Sequence, residues 1–270
     1  MFLSIVILSF NSSRHIEKCL GNVFESLKSV NKEAEVFVVD NGSSDGSLKI
    51  IDGFHKQFPE ILKVIKFERN TGTTYSRNTA LKQAKGDFIL VLDSDAFITA
   101  DAISKLTDYL AQSPHVGMAA PRLFYASGNY QISCDEFPTL WVKAKRFLFL
   151  KKMEKKGGVL NLVDKPTDVD YAISACWMLS RRCFESVGLL DENIFYSPED
   201  VDYCLRVWKA GFVISYVPYA SVVHDAQELS RGFKLTKFHF SHLKGLLYLM
   251  YKHKYFWGLS SLYKRLGKDF

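Results

Sequence analysis

A chain of 270 residues that is 47% hydrophobic and 24% charged has an ordinary globular balance, sufficient for one large domain with or without an appendage. Its formal net charge of +6 and pI near 8.9 allow phosphorylated ligands or an anionic membrane surface as partners, without requiring either. The sequence lacks an uninterrupted apolar run of about 18 residues, which argues against a membrane-spanning helix. Its five cysteines are scattered and form no C-x-x-C pair, which favours reduced thiols in a cytosolic protein and argues against a structural zinc site.

The N-terminal part of the chain alternates between strand and helix patterns. Leu3–Ser9 is an apolar run with no basic residue before it, which predicts a buried strand and not a signal peptide. Apolar residues then recur at helical spacing from Ile16 to Leu27. The alternation continues with strands at 36–39, 62–67 and 88–92, and with helices around 48–54 and 75–85. This order predicts right-handed βαβ units and an α/β fold, with a mostly parallel central sheet flanked by helices.

Beyond residue 100 the pattern is less regular. Helices are predicted at 101–112 and 199–210, strands at 116–121, 171–179, 213–217 and 221–223, and a hairpin around Ser127-Gly128-Asn129. The segment 141–156 mixes aromatic and basic residues, which is typical either of a mobile basic segment or of an amphipathic helix. From residue 231 onward the tail holds nine Lys or Arg residues and one acidic residue, Asp269.

Two carboxylates separated by one serine, Asp93-Ser94-Asp95, follow the apolar run 88–92 directly. Open α/β sheets bind ligands at the carboxyl ends of their strands, and Mg²⁺ or Mn²⁺ takes carboxylate and phosphate oxygens. Asp93 and Asp95 are therefore candidate metal ligands. A polar turn that closes a strand explains the same residues equally well, so the motif alone leaves both interpretations open.

Other polar groups follow the neighbouring predicted strands. Ser9-Phe10-Asn11 and Asp40-Asn41 end two of them, and parallel pairing would bring both to the same edge as Asp93. Asp40 is either part of a turn and helix cap or an acceptor of hydrogen bonds from a nucleotide. The loop that begins at Asn70 resembles a phosphate-binding loop only loosely, and its Arg77 is either a diphosphate contact or a solvated helix residue.

Two further candidates lie in the second half of the chain. Ser197-Pro198-Glu199-Asp200 is an efficient helix start, but Asp200 or Glu199 could also act as a general base at the crevice. His224 follows a short apolar run; a lone histidine there is more often a polar residue at a strand end than a metal ligand.

The order of these motifs is more specific than any one of them, and it resembles family 2 glycosyltransferases of the GT-A fold, closest to the rhamnosyltransferase-like branch. In the first half the resemblance is carried by Phe10-Asn11, Asp40-Asn41-Gly42-Ser43-Ser44-Asp45-Gly46, Asn70-x-Gly72, Arg77-Asn78 and Asp93-Ser94-Asp95. In the second half it is carried by Gly188-Leu189-Leu190-Asp191, Glu199-Asp200-x-Asp202, Arg206, Gly211-Phe212, Val217-Pro218 and His224. It covers about residues 3–230 and leaves 231–270 outside.

The resemblance implies a role for each matching position. Asp200 would be the catalytic base, with Glu199 beside it to position the acceptor. Asp95, Asp93 and His224 would hold Mg²⁺ or Mn²⁺. The donor nucleotide would contact the residues Ser9, Phe10, Asn11, Asp40, Asn70, Gly72, Arg77, Asp93 and Ser94. Ala175 departs from the pattern, because the family usually carries glycine there.

The function implied is an inverting, metal-dependent glycosyltransferase for cell-surface polysaccharide, with a dTDP- or UDP-linked sugar such as rhamnose as donor and a glycan or lipid-linked acceptor. Residues 1–230 would form the GT-A domain, with 1–100 binding the nucleotide sugar and 101–230 the acceptor, and 231–270 a helical extension. No nucleic acid partner is expected, and the location would be cytoplasmic. The basic aromatic tail would either contact the inner face of the plasma membrane or only pack on the domain.

Two alternatives remain from other classes. A non-catalytic nucleotide- or glycan-binding protein could keep the fold, although intact Asp95, Asp200 and His224 argue against it. A sugar nucleotidyltransferase should carry a Gly-rich loop with Lys or Arg after the first strand, which Ser9–Ser13 is not.

Overall fold

A computed structural model describes residues 1–139, 158–226, 237–256 and 258–268. In chain order its strands are β1 Leu3–Ser9, β2 Ala34–Asp40, β3 Leu62–Lys66, β4 Phe88–Asp93, β5 Ala96–Phe97, β6 Val116–Phe124, β7 Tyr130–Gln131, β8 Cys134–Asp135, β9 Thr167–Asp168, β10 Tyr171–Ala172, β11 Cys176–Ser180 and β12 Val213–His224. Its helices are α1 Ile16–Val30, α2 Ser47–Gln57, α3 Thr73–Leu81, α4 Ala100–Gln112, α5 Gly158–Asn161, α6 Arg181–Val187, α7 Glu199–Lys209, α8 Lys237–His253 and α9 Ser260–Leu266.

The central sheet has the strand order β3-β2-β1-β4-β11-β6-β12-β5. Strands β1 to β4 pair in parallel, with Ser9 opposite Asp40 and Leu8 opposite Asp93. The predicted convergence of their carboxyl ends on one edge is therefore confirmed. Strand β11 runs antiparallel between β4 and β6, so the second half of the chain joins the parallel half through an antiparallel pair.

Apolar residues cover both faces of the sheet. Ile5 and Ile7 of β1 pack into the cluster that contains α1 and α4, whereas Val6 packs into a second cluster on the opposite face. Cys19, Leu20, Val23 and Leu27 of α1 are buried, as their helical spacing predicts. All five cysteines are buried as free thiols.

Several boundaries differ from the prediction. The two short strands predicted before His224 form one strand, β12, whose pairing with β6 is interrupted between Val217 and Ser221. The strand predicted at 171–179 is divided into β10 and β11, which belong to different sheets. The hairpin around Gly128 is confirmed by the antiparallel pairing of β6 with β7. The segment 141–156 lies outside the described residues.

The C-terminal helices pack on the second cluster. Leu246, Leu249 and Met250 of α8 and Leu262 of α9 are buried there, beside Val201 and Leu205 of α7. Within the part of the chain that the structure describes, no helix is both long and apolar enough to cross a membrane. The face of α8 that is not packed on the cluster exposes Leu243, Leu247 and Tyr251.

Candidate active site

Two carboxylates and an imidazole meet where β4 and β12 end. Asp93 is the last residue of β4, and Asp95 lies in the turn between β4 and β5. Strand β12 runs antiparallel to β5 with His224 opposite Ala96, which brings the histidine beside the turn. One ligand atom from each of Asp93, Asp95 and His224 lies within 4.8 Å of the others, and His224 Nε2 lies 3.3 Å from Asp95 Oδ1.

The orientation of His224 is fixed by a residue that the sequence did not single out. Its Nδ1 lies 3.0 Å from Oε1 of Gln131, in β7. An amide oxygen can only accept a hydrogen bond, so Nδ1 carries a proton and Nε2 is the nitrogen left to bind a cation. An imidazole held in this way, next to two carboxylates, is a donor set that fits a divalent cation such as Mn²⁺.

Arg77 of α3 lies between two acidic groups. Its guanidinium is 1% exposed, contacts the carboxylate of Asp93 and has Nη1 at 3.7 Å from Oε1 of Glu199. The interpretation of Arg77 as a solvated helix residue is therefore wrong. Its Nε and Nη1 have no hydrogen-bond partner among the described residues. Burial raises the pKa of Asp93, an effect that Arg77 opposes and Asp95 reinforces.

Glu199 and Asp200 begin helix α7 but have different surroundings. Glu199 is buried and accepts a hydrogen bond of 2.9 Å from Ser174 Oγ. Its burial, together with the charge of Asp200, raises the pKa of Glu199 to about 8 against the opposing effect of Arg77. Asp200 is only partly buried and accepts a hydrogen bond of 2.8 Å from the backbone N–H of Val201. The pair therefore offers one buried carboxyl that holds its proton near neutral pH and one that is partly exposed to solvent.

The carboxyl ends of β1 and β2 form the second part of the site. Asp40 is 2% exposed, accepts a hydrogen bond of 3.1 Å from the Ser43 N–H through Oδ2, and has no partner for Oδ1 among the described residues. The Ser9 hydroxyl lies 2.7 Å from that of Ser12, and Phe10 is exposed. A buried carboxylate oxygen without a donor is costly, so it is available to a ligand that brings one.

Polar contacts hold the loop at 70–72 to the strand ends. Asn41 Nδ2 donates to Asn70 Oδ1 at 3.0 Å, and Thr71 N–H donates to Asn41 Oδ1 at 2.8 Å. Asn11, with φ of +49°, accepts a hydrogen bond of 2.9 Å from the Ser44 N–H. The side chains of Asn70 and Asn11 thus hold loops together. Ser94 lies in the turn between Asp93 and Asp95.

Gly72 brings the loop before α3 against the segment before α7. Its φ is +90°, and an added Cβ would lie 2.6 Å from the carbonyl oxygen of Phe195. The Thr73 N–H donates to the same oxygen at 2.7 Å. Glycine is required here both by the backbone conformation and by the close approach.

Tyr196 is a site residue that the sequence reasoning missed. Burial and then the charges of Glu199, Asp93, Asp200 and Asp95 raise the pKa of Tyr196 to about 12. The ring is 41% exposed. An aromatic residue three positions before Glu199 was the available signal. Gln131 gave no sequence signal, because it acts through a contact with His224, far along the chain.

This sheet, with an Asp-Ser-Asp turn at the end of its fourth strand, defines the GT-A fold. The chain shares that fold with the mannosyltransferase PcManGT of Pyrobaculum calidifontis, solved in complex with GDP-Man and Mn²⁺, at a TM-score of 0.65 and 18% identity over 98% of this chain and 67% of that one. It matches glycosyl transferase family 2 over residues 4–188 and belongs to that family. The resemblance of the sequence to this family is thereby confirmed. Glu199, Asp200 and His224 lie beyond the matched residues.

Curated relatives are similar at low identity. The N-acetylglucosaminyl-diphospho-decaprenol L-rhamnosyltransferase of Mycobacterium tuberculosis (strain H37Rv) is 24% identical over 94% of this chain and 86% of its own length. The poly(ribitol-phosphate) beta-glucosyltransferase of Bacillus spizizenii is 33% identical over 81% of this chain and 34% of its own length. The chain spans well under half of several relatives that it matches, including 26% of the uncharacterized glycosyltransferase YfnE of Bacillus subtilis.

Proposed function

We propose that the protein is an inverting, metal-dependent glycosyltransferase that moves a sugar from a nucleoside-diphosphate donor to a glycan or lipid-linked acceptor in cell-surface polysaccharide synthesis. The observation that carries this proposal is the position of Arg77. It lies between Asp93, which is grouped with Asp95 and His224, and Glu199, which is next to Asp200. Transfer of a sugar from a diphosphate donor requires a cation site and, next to it, a proton acceptor.

Asp93, Asp95 and His224 are the residues that would hold the cation. The chemistry that such an ion would supply is neutralisation of negative charge on a leaving diphosphate. The imidazole favours Mn²⁺ over Mg²⁺, which takes oxygen ligands and keeps much of its water. The bound GDP-Man and Mn²⁺ of the mannosyltransferase neighbour support a nucleotide sugar with a divalent metal in general.

The donor base is assigned from Asp40. Its Oδ1 is a buried acceptor without a protein donor among the described residues, and the N3–H of uracil or thymine is a donor of matching chemistry. The unpartnered N–H groups of Arg77 are suited to diphosphate oxygens. Together these two groups support a UDP- or dTDP-linked sugar, and the name of the mycobacterial relative makes rhamnose a candidate.

The chemical step needs one base. Asp200 takes the proton of an acceptor hydroxyl as that oxygen bonds to the anomeric carbon, while the bond from this carbon to the diphosphate oxygen breaks on the opposite face. A single displacement of this kind inverts the anomeric centre. Glu199, protonated near neutral pH, donates a hydrogen bond and positions the acceptor without competing for the proton.

Nucleotide sugars offered with Mn²⁺ test the proposal directly. A donor that binds raises the melting temperature by mass action, and the same donor with an acceptor releases nucleoside diphosphate. A donor that binds without turnover on any acceptor would instead identify a nucleotide- or glycan-binding protein. Failure of every UDP- and dTDP-sugar to bind would contradict the assignment of Asp40.

Contact with a membrane surface is proposed from the exposed face of α8. Leu243, Leu247 and Tyr251 follow one another at four-residue spacing and are 50%, 48% and 73% exposed. Lys244 and Lys254 are exposed beside them, and their charge matches the anionic inner face of a plasma membrane.

Vesicle sedimentation tests this contact. The full chain should sediment with phosphatidylglycerol vesicles and much less with phosphatidylcholine vesicles. The triple variant Leu243→Ser, Leu247→Ser, Tyr251→Ser should lose most of this binding, whereas Leu162→Ser, at a residue that is 80% exposed elsewhere, should keep it. Equal binding of both variants would show that α8 is not the contact.

A further inference from the structure

Helix α8 touches the backbone that leads into the two carboxylates of α7. An added Cβ on Gly245 would lie 2.2 Å from the carbonyl oxygen of Ser197 and 2.9 Å from Cδ of Pro198. Only a residue without a side chain lets the two segments approach this closely. Since Glu199 follows Pro198 directly, the position of α8 limits where Glu199 and Asp200 can lie.

A buried charged cluster joins the same two helices one turn further on. Asp202 of α7 is 1% exposed and accepts from Lys252 Nζ at 2.7 Å, His253 Nε2 at 2.7 Å and Arg206 Nε at 2.9 Å. Nδ1 of His253 lies 2.7 Å from Nζ of Lys209, so it accepts from the ammonium while Nε2–H donates to Asp202. A buried carboxylate with three donors has one well-defined position.

The loop before α7 is held by α8 as well. Asp191 accepts from Lys252 Nζ at 2.6 Å and from the Tyr248 hydroxyl at 2.9 Å. Lys252 therefore bridges Asp191 and Asp202, which lie before and after Glu199-Asp200 in the chain.

Helix α3 holds the same loop from the other side. Asn78 donates to the Leu190 carbonyl and accepts from the Leu190 N–H, each at 2.9 Å, and Thr74 Oγ1 donates to the Ile194 carbonyl at 2.7 Å. The segment 190–198 is thus fixed between α3, which carries Arg77, and α8.

We propose that Gly245, Lys252 and His253 are positioning residues for the proton-transfer step, and that the C-terminal helix α8 is part of the apparatus that aligns Asp200 and Glu199 with the cation site. None of the three touches the reacting atoms. They act through the backbone at 197–198 and through Asp202. The inference rests on the proposed function for its kinetic readout, but its structural readout is independent of activity.

Gly245→Ala is the decisive variant, and Gly53→Ala is its matched control. Both glycines lie inside helices, but an added Cβ at Gly53 meets nothing within 4 Å. Gly245→Ala should lower kcat about tenfold or more, with the affinity for the nucleotide donor unchanged, because small misplacements of reacting groups slow the chemical step. Hydrogen exchange at 195–201 should accelerate in this variant. Gly53→Ala should change neither quantity.

Two substitutions of His253 separate positioning from general stability. His253→Leu should reduce kcat about tenfold, whereas His253→Gln, whose amide N–H can replace Nε2–H, should recover most of it. Rates are expressed per donor-binding site, so a loss of folded protein does not count as a loss of kcat.

Three outcomes decide the inference. Wild-type kcat and unchanged exchange at 195–201 in Gly245→Ala would overturn it, as would equal kcat in the Leu and Gln variants of His253. If the wild-type protein turns over no donor, the proposed function fails, yet faster exchange in Gly245→Ala than in Gly53→Ala would still support the positioning.

Discussion

His224 places its Nε2 atom 3.3 Å from an oxygen of Asp95, although the two residues are far apart in the sequence. The pairing of β12 with β5 creates this contact, because the register sets His224 opposite Ala96, the residue that follows Asp95. A shift of one residue in that pairing would turn the imidazole to the other face of the sheet. The cation site therefore depends on sheet register as much as on the Asp-Ser-Asp motif.

The Mn²⁺ concentration that activity requires should depend on Gln131, which accepts a hydrogen bond from Nδ1 of His224. Chelation should abolish release of nucleoside diphosphate, and Mn²⁺ should restore it at lower concentrations than Mg²⁺. Gln131→Leu should raise the Mn²⁺ concentration needed for half-maximal activity by about tenfold or more, as is typical for the loss of a group that orients a ligand. Gln112→Leu, at an exposed residue, is the control, and an equal Mn²⁺ requirement in the two variants would contradict this role.

Arg77 should matter for stability as well as for the donor. Arg77→Met would leave the Asp93 carboxylate without its cation and remove the guanidinium beside Glu199 in a largely buried site. The free energy of unfolding should fall by about 3 kcal/mol. This is the lower end of the cost of breaking a buried ion pair, because Asp93 remains 32% exposed. Urea unfolding measures this change, with Arg182→Met at an exposed position as control. Equal midpoints for Arg77→Met and Arg182→Met would show that the contact of Arg77 with Asp93 does not stabilise the fold.

Glu199 should make stability depend on pH. Its pKa is raised from 4.5 to about 8 in the folded protein, so the unfolded chain loses this proton at lower pH and stability declines as pH rises towards 8. Glu199→Gln keeps an acceptor for Ser174 and removes the titration. Its melting temperature should exceed that of wild type by a margin that widens from about pH 5 to about pH 8 and then levels. A constant margin, as expected for the exposed control Glu25→Gln, would contradict the raised pKa.

Gly72 offers a test of the contact between the loop at 70–72 and the segment before α7. Gly72→Ala should lower both donor affinity and kcat, because the new Cβ would lie 2.6 Å from the Phe195 carbonyl oxygen. Gly128→Ala is matched in backbone strain, with φ of +81°, but its Cβ would meet nothing within 4 Å. If the two variants lose the same activity, strain alone explains the effect and the approach of Phe195 does not matter.

The sequence predicts the parallel half of this fold well, because local patterns determine it. Buried strands such as β1 and the turn at Asp93 follow directly from apolar runs and polar residues at strand ends, and parallel pairing then brings those ends together. The antiparallel insertion of β11 and the joining of two short strands into β12 depend on pairing between distant segments, so periodicity alone does not predict them.

The same distinction applies to the site. Asp93, Asp95 and His224 could be named in advance from the order of the motifs. The burial of Arg77, the contact of Gln131 with His224 and the close approach of Gly245 to Ser197 could not, since each arises from residues whose local sequence is unremarkable for a helix or strand. Residues that orient others are defined by contacts, and contacts across a fold are not visible in a single sequence.

The most direct test of the account compares Asp200→Asn with wild type and with Asp108→Asn, an exposed aspartate in α4. Donor binding and release of nucleoside diphosphate are measured with Mn²⁺ and the same acceptor. Asp200→Asn should bind donor as wild type does and lose at least about 100-fold in kcat, since it keeps the shape of the side chain but cannot take a proton. Wild-type kcat in Asp200→Asn would contradict the assignment of the base and, with it, the proposed mechanism.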